Sequence, residues 1–386
     1  MSEDHHRIRT THTGSLPRPG GLLKLLNAKD NEEPFDPAHF AKSVSSAVRD
    51  LVQQQHTLGI DIVGDGEASK TSYFSYVAER VSGYRAIPHD SPGMAGGADL
   101  RDFPEYAAQF LSGEGARGDS ARRLICAEPL AYSNRAPLQA DLENLARAVE
   151  SEGAHTAFLS AASPGIIAQT LPNQYYSGPV AYLEAIADAM RHEYEAIHKA
   201  GFVLQIDCPD LALARHTRFP DKPIEKFREI IESHVEVLNR ATVNIPPSAM
   251  RMHVCWGNYS GPHHRDVPLA DILDIVLKAR PAGIVLESCN PRHNHEWAVF
   301  EEIALPSGKV LVPGVIESSS SYIEHPEVVA QRIERFASVV GRDNLMAGTD
   351  CGFSTVAGFT PVHPQLVWAK LESLVLGARL ASERLW

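Results

Sequence analysis

The chain has 386 residues, 44% of them hydrophobic, and a net charge of −12. This length allows a large buried core, and the acidic balance without any basic run argues against nucleic acid or an anionic membrane as a partner. No stretch reaches the roughly 20 apolar residues of a membrane span, and residues 1–9 lack the apolar core of a signal peptide, so we expect a cytoplasmic protein. Five scattered cysteines predict reduced thiols, not a disulfide framework.

The first motif lies in residues 9–19, a Thr-rich extended piece that turns at Gly14-Ser15 before two prolines. The prolines prevent a helix and leave the Gly14 and Ser15 amides free to face a ligand. A helical pattern over 37–58 follows, and a buried strand over 60–63 then leads to Glu67. Glu67 should therefore stand beyond the carboxyl end of a strand.

Residues 81–122 are less regular and predict an excursion from the main fold, such as a lid or an oligomer contact. After them strand and helix patterns alternate, which predicts a single (β/α)8 TIM barrel over residues 1–386 with an insertion around 81–122. Counting the stretch around Thr11, nine candidate strands compete for eight places, so one of them should lie outside the barrel. The remaining candidate strands are 124–127, 156–160, 203–207, 249–255, 284–287, 310–315 and 345–347, and the clearest later helices are 181–200, 224–241 and 326–340.

Several of these strands end in polar residues. Asp207 closes the strand 203–207, and the strand 156–160 ends at Ser160 and leads to Ser163. In a barrel of parallel strands the carboxyl ends meet over one mouth, which carries the active site. Asp207 and Ser163 are therefore candidate site residues.

The strand 249–255 carries a histidine and a cysteine two positions apart, His253 and Cys255. Side chains at i and i+2 of a strand leave the same face, so both can bind one metal ion. Glu287 and Cys351 follow two further strands and would meet them at the mouth. One imidazole, two thiols and one carboxylate predict Zn²⁺. Cys289 or water is left open as an alternative to Glu287.

A zinc site of this composition can serve two purposes. An added thiol would bind as its thiolate at neutral pH and stay nucleophilic, which predicts transfer of an alkyl group to sulfur. The alternative is a non-catalytic zinc- or thiol-binding protein. The expected partners are a small-molecule thiol and an alkyl donor, with no nucleic acid and no membrane, and a homo-oligomer is left open.

The separated motifs together resemble the catalytic C-terminal barrel of cobalamin-independent methionine synthase, a fold of the methionine synthase and uroporphyrinogen decarboxylase type. The resemblance runs from about residue 9 to 380 and implies that His253, Cys255, Glu287 and Cys351 hold zinc. It also implies that the Gly14 and Ser15 amides receive an anionic group of the substrate, while Glu67 and Asp207 face its amine. The motifs are Thr11-His12-Thr13-Gly14-Ser15-Leu16-Pro17, Asp65-Gly66-Glu67, Gln205-Ile206-Asp207, His253-Val254-Cys255, Leu286-Glu287 and Thr349-Asp350-Cys351-Gly352.

The chain also departs from the synthases. No Trp follows Ser163, where they carry a folate-stacking Trp, and Pro209 replaces an acidic residue. The stretches 255–263, 292–297 and 324–327 are closer to the epoxyalkane:coenzyme M transferases. The first expectation is therefore epoxide opening by a small anionic thiol, with methyl transfer to homocysteine or a related thiol as the alternative.

Either reaction needs a proton for its leaving nitrogen or alkoxide. His293 and His295 lie in a histidine-rich loop stretch after Glu287. An imidazole with a pKa near 6.5 suits proton donation at neutral pH. We therefore predict His293 or His295 as the proton donor, with solvated loop histidines as the alternative.

Overall fold

The computed structural model describes residues 6–72, 75–87, 97–112, 124–359 and 361–386. Across these ranges the chain alternates strands with helices. The strands are β1 Arg9–Thr10, β2 Ile62–Gly64, β3 Val81–Ala86, β4 Leu124–Tyr132, β5 Thr156–Ala162, β6 Val203–Asp207, β7 Met250–Val254, β8 Gly283–Leu286, β9 Val310–Ile316 and β10 Met346–Thr349.

Eight of the strands form one parallel sheet in the order β1-β10-β9-β8-β7-β6-β5-β2. A parallel bridge between Thr11 and Ile62 joins its first and last members, which brings the two edges together. These strands are buried along nearly their whole length because side chains fill the interior and helices cover the exterior. The predicted TIM barrel is confirmed.

The helices that cover the barrel begin and end at the expected signals. Asp36 caps its helix by accepting hydrogen bonds from the amides of Ala38 and His39, and Gly59 ends that helix in the left-handed conformation at φ 90°. The helices are α1 Gly20–Asp30, α2 Pro37–Leu58, α3 Ala98–Arg101, α4 Pro104–Ser112, α5 Ala136–Glu152, α6 Pro164–Thr170, α7 Pro179–Lys199, α8 Ala214–Thr217, α9 Ile224–Ala241, α10 Leu273–Val276, α11 Val299–Glu302, α12 Pro326–Val340 and α13 Pro364–Leu385.

The predicted helices at 37–58, 224–241 and 326–340 match α2, α9 and α12, and the helix predicted over 181–200 is α7. Within the described ranges, no helix combines the length and the apolar character needed to cross a bilayer. The bounds of β6 are as predicted, and the bounds of the other barrel strands with predicted ranges differ by at most two residues. As a consequence Glu287 and Cys351 stand just beyond the ends of β8 and β10.

The prediction of a barrel strand at 124–127 is wrong. These residues begin β4, which pairs antiparallel with β3 in a separate two-stranded sheet. Only the first three residues of β4 are buried, whereas a strand inside a closed parallel barrel is covered on both faces. This strand is therefore the surplus one among the nine candidates.

The insertion around 81–122 starts with β3 and contains α3 and α4. Residues 88–96 and 113–122 of it lie outside the described residues. Its described part contacts the loop that follows β7. Asp102 on this insertion pairs with His264 and Arg265 of that loop at 2.8 and 2.6 Å.

Candidate metal centre and substrate-binding site

Three predicted metal ligands come together at the carboxyl end of the barrel. His253 is on β7, Cys255 follows β7, and Cys351 follows β10. Their ligand atoms all lie within 4.8 Å of one another, and all three residues are buried. The Cys351 sulfur is 3.6 Å from the Cys255 sulfur and 3.6 Å from His253 Nε2. Met252 and Val254, which flank His253 on β7, belong to the hydrophobic core and are 0% exposed. This arrangement could hold a metal ion.

Glu287 lies beside this group without joining it, among the residues that the structure describes. Both of its carboxylate oxygens accept hydrogen bonds. The amide of Trp256 donates to Oε1 at 2.7 Å, and Asn290 Nδ2 donates to Oε2 at 3.1 Å. These two hydrogen bonds orient Glu287 next to Cys255.

The alternative ligand Cys289 is buried against Asp350, and it too stands outside the three-residue group within the described ranges. The Asp350 carboxylate accepts hydrogen bonds from the amides of Ser288, Cys289 and Asn290 at 2.8, 3.0 and 2.9 Å. Asp350 precedes Cys351 in sequence. It therefore fixes the segment after Glu287 relative to Cys351, a role that the sequence analysis did not assign.

Burial shifts the protonation of this group toward neutral forms. Desolvation, and then the positive charge of Arg251, lower the pKa of His253 to about 3. The Cys351 neighbour and burial raise the pKa of Cys255, and burial and the charge of Cys255 raise the pKa of Glu287. A cation between these groups would stabilise the ionised thiols and carboxylate.

A pair of carboxylates stands next to the cluster. Asp207 ends β6 and pairs in register with His253 on β7, so their side chains are neighbours at the mouth. Burial, and then the charge of Glu67, raises the pKa of Asp207 to about 7. Ser160 donates a hydrogen bond to Glu67 Oε1 at 2.7 Å, and Gln205 Nε2 donates to Asp207 Oδ1 at 2.8 Å. Two adjacent buried carboxylates favour a cationic ligand.

Gly14 and Ser15 lie against this acidic pair. Gly14 has φ +66°, and a Cβ atom at this position would stand 2.7 Å from Glu67 Oε1, so only glycine fits. Ser15 connects to the segment after Cys351, because its carbonyl accepts from the amide of Phe353 at 2.8 Å and its hydroxyl accepts from the amide of Ser354 at 3.2 Å. The Gly14–Ser15 turn therefore lies at the same site as the Glu67–Asp207 pair and the segment that follows Cys351.

Ser163, predicted to bind substrate, caps α6. Its hydroxyl accepts from the amide of Ile166 at 3.0 Å and donates to Asp210 at 2.5 Å. His234 Nδ1 lies 2.8 Å from the other oxygen of Asp210. The hydroxyl is thus engaged within the fold, and its contact with a substrate stays a prediction.

The two predicted proton donors differ in their surroundings. His293 is 2% exposed, with Nδ1 at 2.7 Å from Glu296 and Nε2 at 3.0 Å from Asp266. Burial lowers the pKa of His293, but these hydrogen bonds outweigh burial and raise it to about 10. Its ring packs on Trp256 with 4.5 Å between centroids. His295 is exposed on the same segment.

Comparison with known proteins agrees with this architecture. Residues 179–367 match the family model of the cobalamin-independent synthase catalytic domain. The chain is 23% identical to the methionine synthase of Thermococcus kodakarensis, over 98% of this chain and 94% of that protein. It is 25% identical to the 2-hydroxypropyl-CoM lyase of Xanthobacter autotrophicus, over 92% of this chain and 89% of that protein.

A solved structure shows the same fold. The B12-independent methionine synthase from Shewanella sp. W3-18-1 superposes with a TM-score of 0.73 at 20% identity, over 98% of this chain and 99% of that chain. The resemblance that the sequence motifs indicated is thereby confirmed. Residues 179–367 are thus similar to the catalytic domain of the cobalamin-independent synthases, and the chain is similar to methionine synthases over nearly its whole length.

Proposed function

We propose that this protein is a zinc-dependent thiol alkyltransferase. The observation that carries the proposal is the buried His253–Cys255–Cys351 group beside the Glu67–Asp207 carboxylates at one barrel mouth. In the reaction, the sulfur of a thiol substrate forms a bond to an electrophilic carbon. The bond from that carbon to its leaving nitrogen, sulfur or oxygen breaks, and the leaving atom keeps the electron pair and takes up a proton when it needs one.

The residues fit zinc. Two thiols and one imidazole are the donor types that bind Zn²⁺, and Glu287 would be the fourth ligand. The low pKa of His253 keeps its imidazole neutral, which is the form that binds a metal. When bound, zinc would lower the pKa of the substrate thiol so that it reacts as the thiolate.

The acidic pair favours a thiol that carries an ammonium group. Asp207 and Glu67 would bind that ammonium while the substrate sulfur lies at the cluster, since Asp207 neighbours His253 across the sheet. The Gly14 and Ser15 amides would receive the anionic group of the same substrate. A homocysteine-like amino acid satisfies all three requirements, and the leaving group would take its proton from His293 or His295.

Epoxide opening by an amine-free anionic thiol is the second candidate, although the sequence analysis ranked it first. The similarity to the 2-hydroxypropyl-CoM lyase favours it. A sulfonate near two carboxylates would be repelled unless both were protonated, because like charges in a buried site raise the free energy of binding. The Glu67–Asp207 pair therefore makes epoxide opening the less favoured of the two reactions.

The test is a matched panel of thiols and donors. Homocysteine, its amine-free analogue 4-mercaptobutanoate and 2-mercaptoethanesulfonate are each incubated with zinc-loaded protein and a methyl-folate, a sulfonium compound or a short epoxide. Mass spectrometry then detects the S-alkylated product. A much faster reaction of homocysteine than of 4-mercaptobutanoate supports the first candidate, and product from the sulfonate with the epoxide supports the second. Zinc binding without any product would favour a non-catalytic zinc- or thiol-binding protein.

A further inference from the structure

A buried network of histidines and carboxylates lies behind the proposed metal centre, and His293 is its one member to which the proposed reaction assigns a step. Asp266, in the loop after β7, is its centre. Asp266 Oδ2 lies 2.9 Å from His263 Nδ1 and 3.0 Å from His293 Nε2. Two chains of contacts, here called arms, begin at these histidines. The first arm ends at Cys255 and the second at Glu287.

The first arm reaches Cys255 through Tyr259. The His263 ring packs on the Tyr259 ring with 4.3 Å between centroids. The Tyr259 ring in turn covers Gly257, where an added Cβ would stand 2.7 Å from Tyr259 Cε1 and where φ is +125°. The amide of Gly257 donates to the Cys255 sulfur at 3.3 Å. The position of the Tyr259 ring therefore determines the position of a donor to a thiolate ligand.

The second arm reaches Glu287 through Trp256. The His293 ring packs on the fully buried Trp256, and Trp256 Nε1 donates to the carbonyl of Val267 at 2.7 Å. The backbone amide of Trp256 donates to Glu287 Oε1 at 2.7 Å. Both arms thus end on hydrogen bonds to groups that would hold the metal.

The network also ties the insertion to the metal centre. Asp99, on α3 of the insertion, is 0% exposed and accepts a hydrogen bond from the Tyr259 hydroxyl. His216 lies between the two aspartates, with one ring nitrogen 3.4 Å from Asp99 Oδ1 and the other 3.4 Å from Asp266 Oδ1. Burial of so many ionisable groups costs free energy that apolar residues would not incur. An arrangement that carries this cost and ends on two metal-binding groups points to a role in orienting them.

We propose that Tyr259 and Asp266 are positioning residues that orient Cys255 and Glu287 for metal binding, with Asp99 of the insertion fixing Tyr259. The proposal rests on the zinc-dependent function above. Hydrogen bonds to metal ligands fix ligand orientation and tune the electron density on sulfur. The described part of the insertion thereby contributes to the proposed metal centre through Tyr259.

The test uses the full chain loaded with zinc or with cobalt(II) as a spectroscopic probe. Tyr259→Phe keeps the ring but removes the hydroxyl that Asp99 binds. Asp266→Asn weakens both arms at their common point. Arg265→Ala is the matched control, because Arg265 is exposed and bonds Asp102 of the same insertion without touching either arm. Each protein is measured for zinc affinity by chelator competition, for the thiolate-to-cobalt absorption band, and for fold by circular dichroism.

We expect Tyr259→Phe and Asp266→Asn to weaken zinc binding roughly 10-fold or more and to move the cobalt band, while Arg265→Ala matches the wild type. Zinc affinities within about twofold of the wild type and an unmoved band in both folded variants would overturn the positioning role and leave the proposed function intact. If Asp266→Asn does not fold, Tyr259→Phe decides alone. A wild-type protein that binds neither metal through thiolates would instead overturn the zinc assignment, and this proposal with it.

Discussion

The sulfur atoms of Cys255 and Cys351 lie 3.6 Å apart, although 96 positions separate these residues in the sequence. The two strands that bring them there, β7 and β10, are not neighbours in the barrel; β8 and β9 stand between them. Convergence at the mouth, and not local pairing, creates this contact. Two buried thiols at this distance with an imidazole beside them form a candidate metal site.

We expect about one zinc per chain, lost on Cys255→Ser or Cys351→Ser, because no neighbouring side chain replaces the missing thiolate. Elemental analysis of purified protein checks the stoichiometry, and Cys126→Ser, which changes a buried thiol outside the group, is the control. Circular dichroism should stay unchanged in the two ligand variants. A full zinc content in both variants would show that the metal site lies elsewhere. Loss of the fold in these variants would show that the metal has a structural role.

Asp207→Asn should raise KM for a thiol that carries an ammonium group by about 100-fold or more. Breaking one side of a buried charge pair costs roughly 3–5 kcal/mol, and Asp207 is 6% exposed. The KM for 4-mercaptobutanoate, which has no amine, should change little. Steady-state kinetics with both thiols checks the expectation, and an unchanged KM for homocysteine would exclude Asp207 from ammonium binding.

The metal ligands could be predicted from sequence because their geometry follows from rules with few alternatives. His253 and Cys255 share a face because strand side chains alternate, and Cys351 joins them because all parallel strands of a barrel end at the same mouth. The failure at Leu124 has the opposite cause. A short apolar run fits a barrel strand or an outer hairpin equally well, and only its partner, β3, decides between them.

The residues that support the metal ligands, Asp350 and Asp99, had no comparable signal in the sequence. Asp350 acts on backbone amides about 60 positions away, and any residue type can supply an amide. Asp99 lies in the insertion and reaches the site through Tyr259 and His216. Such contacts depend on how loops pack on one another, and loop packing leaves no periodic pattern in the sequence.

His293 should stabilise the protein in a pH-dependent way. Its folded-state pKa of about 10 lies above the ordinary 6.5, so the folded state binds more protons between these values. Its contribution is therefore complete below pH 6.5 and declines as the pH rises toward 10. Chemical denaturation of wild type and His293→Gln across this range should show a stability difference that shrinks as the pH rises. His295→Gln, which changes an exposed residue, should show no such trend, and a flat difference for His293→Gln would contradict the charged state.

We expect the metal to activate the thiol and not the alkyl donor. A thiol that joins the coordination shell should replace an oxygen ligand, Glu287 or water, so that Zn–S contacts near roughly 2.3 Å rise from two to three in X-ray absorption. Binding should also release about one proton at neutral pH, because the bound form is the thiolate.

Were Glu287 to bind zinc and then be displaced, the Trp256 amide and Asn290 would be in place to bond both of its oxygens, as they do here. With the donor present and the thiol absent, neither the sulfur count nor the proton balance should change. If the donor alone alters the zinc shell while the thiol does not, the metal acts as a Lewis acid toward the donor. A base would then have to activate the thiol, and the exposed His295 would be the first residue to substitute, because both ring nitrogens of His293 are engaged by Asp266 and Glu296.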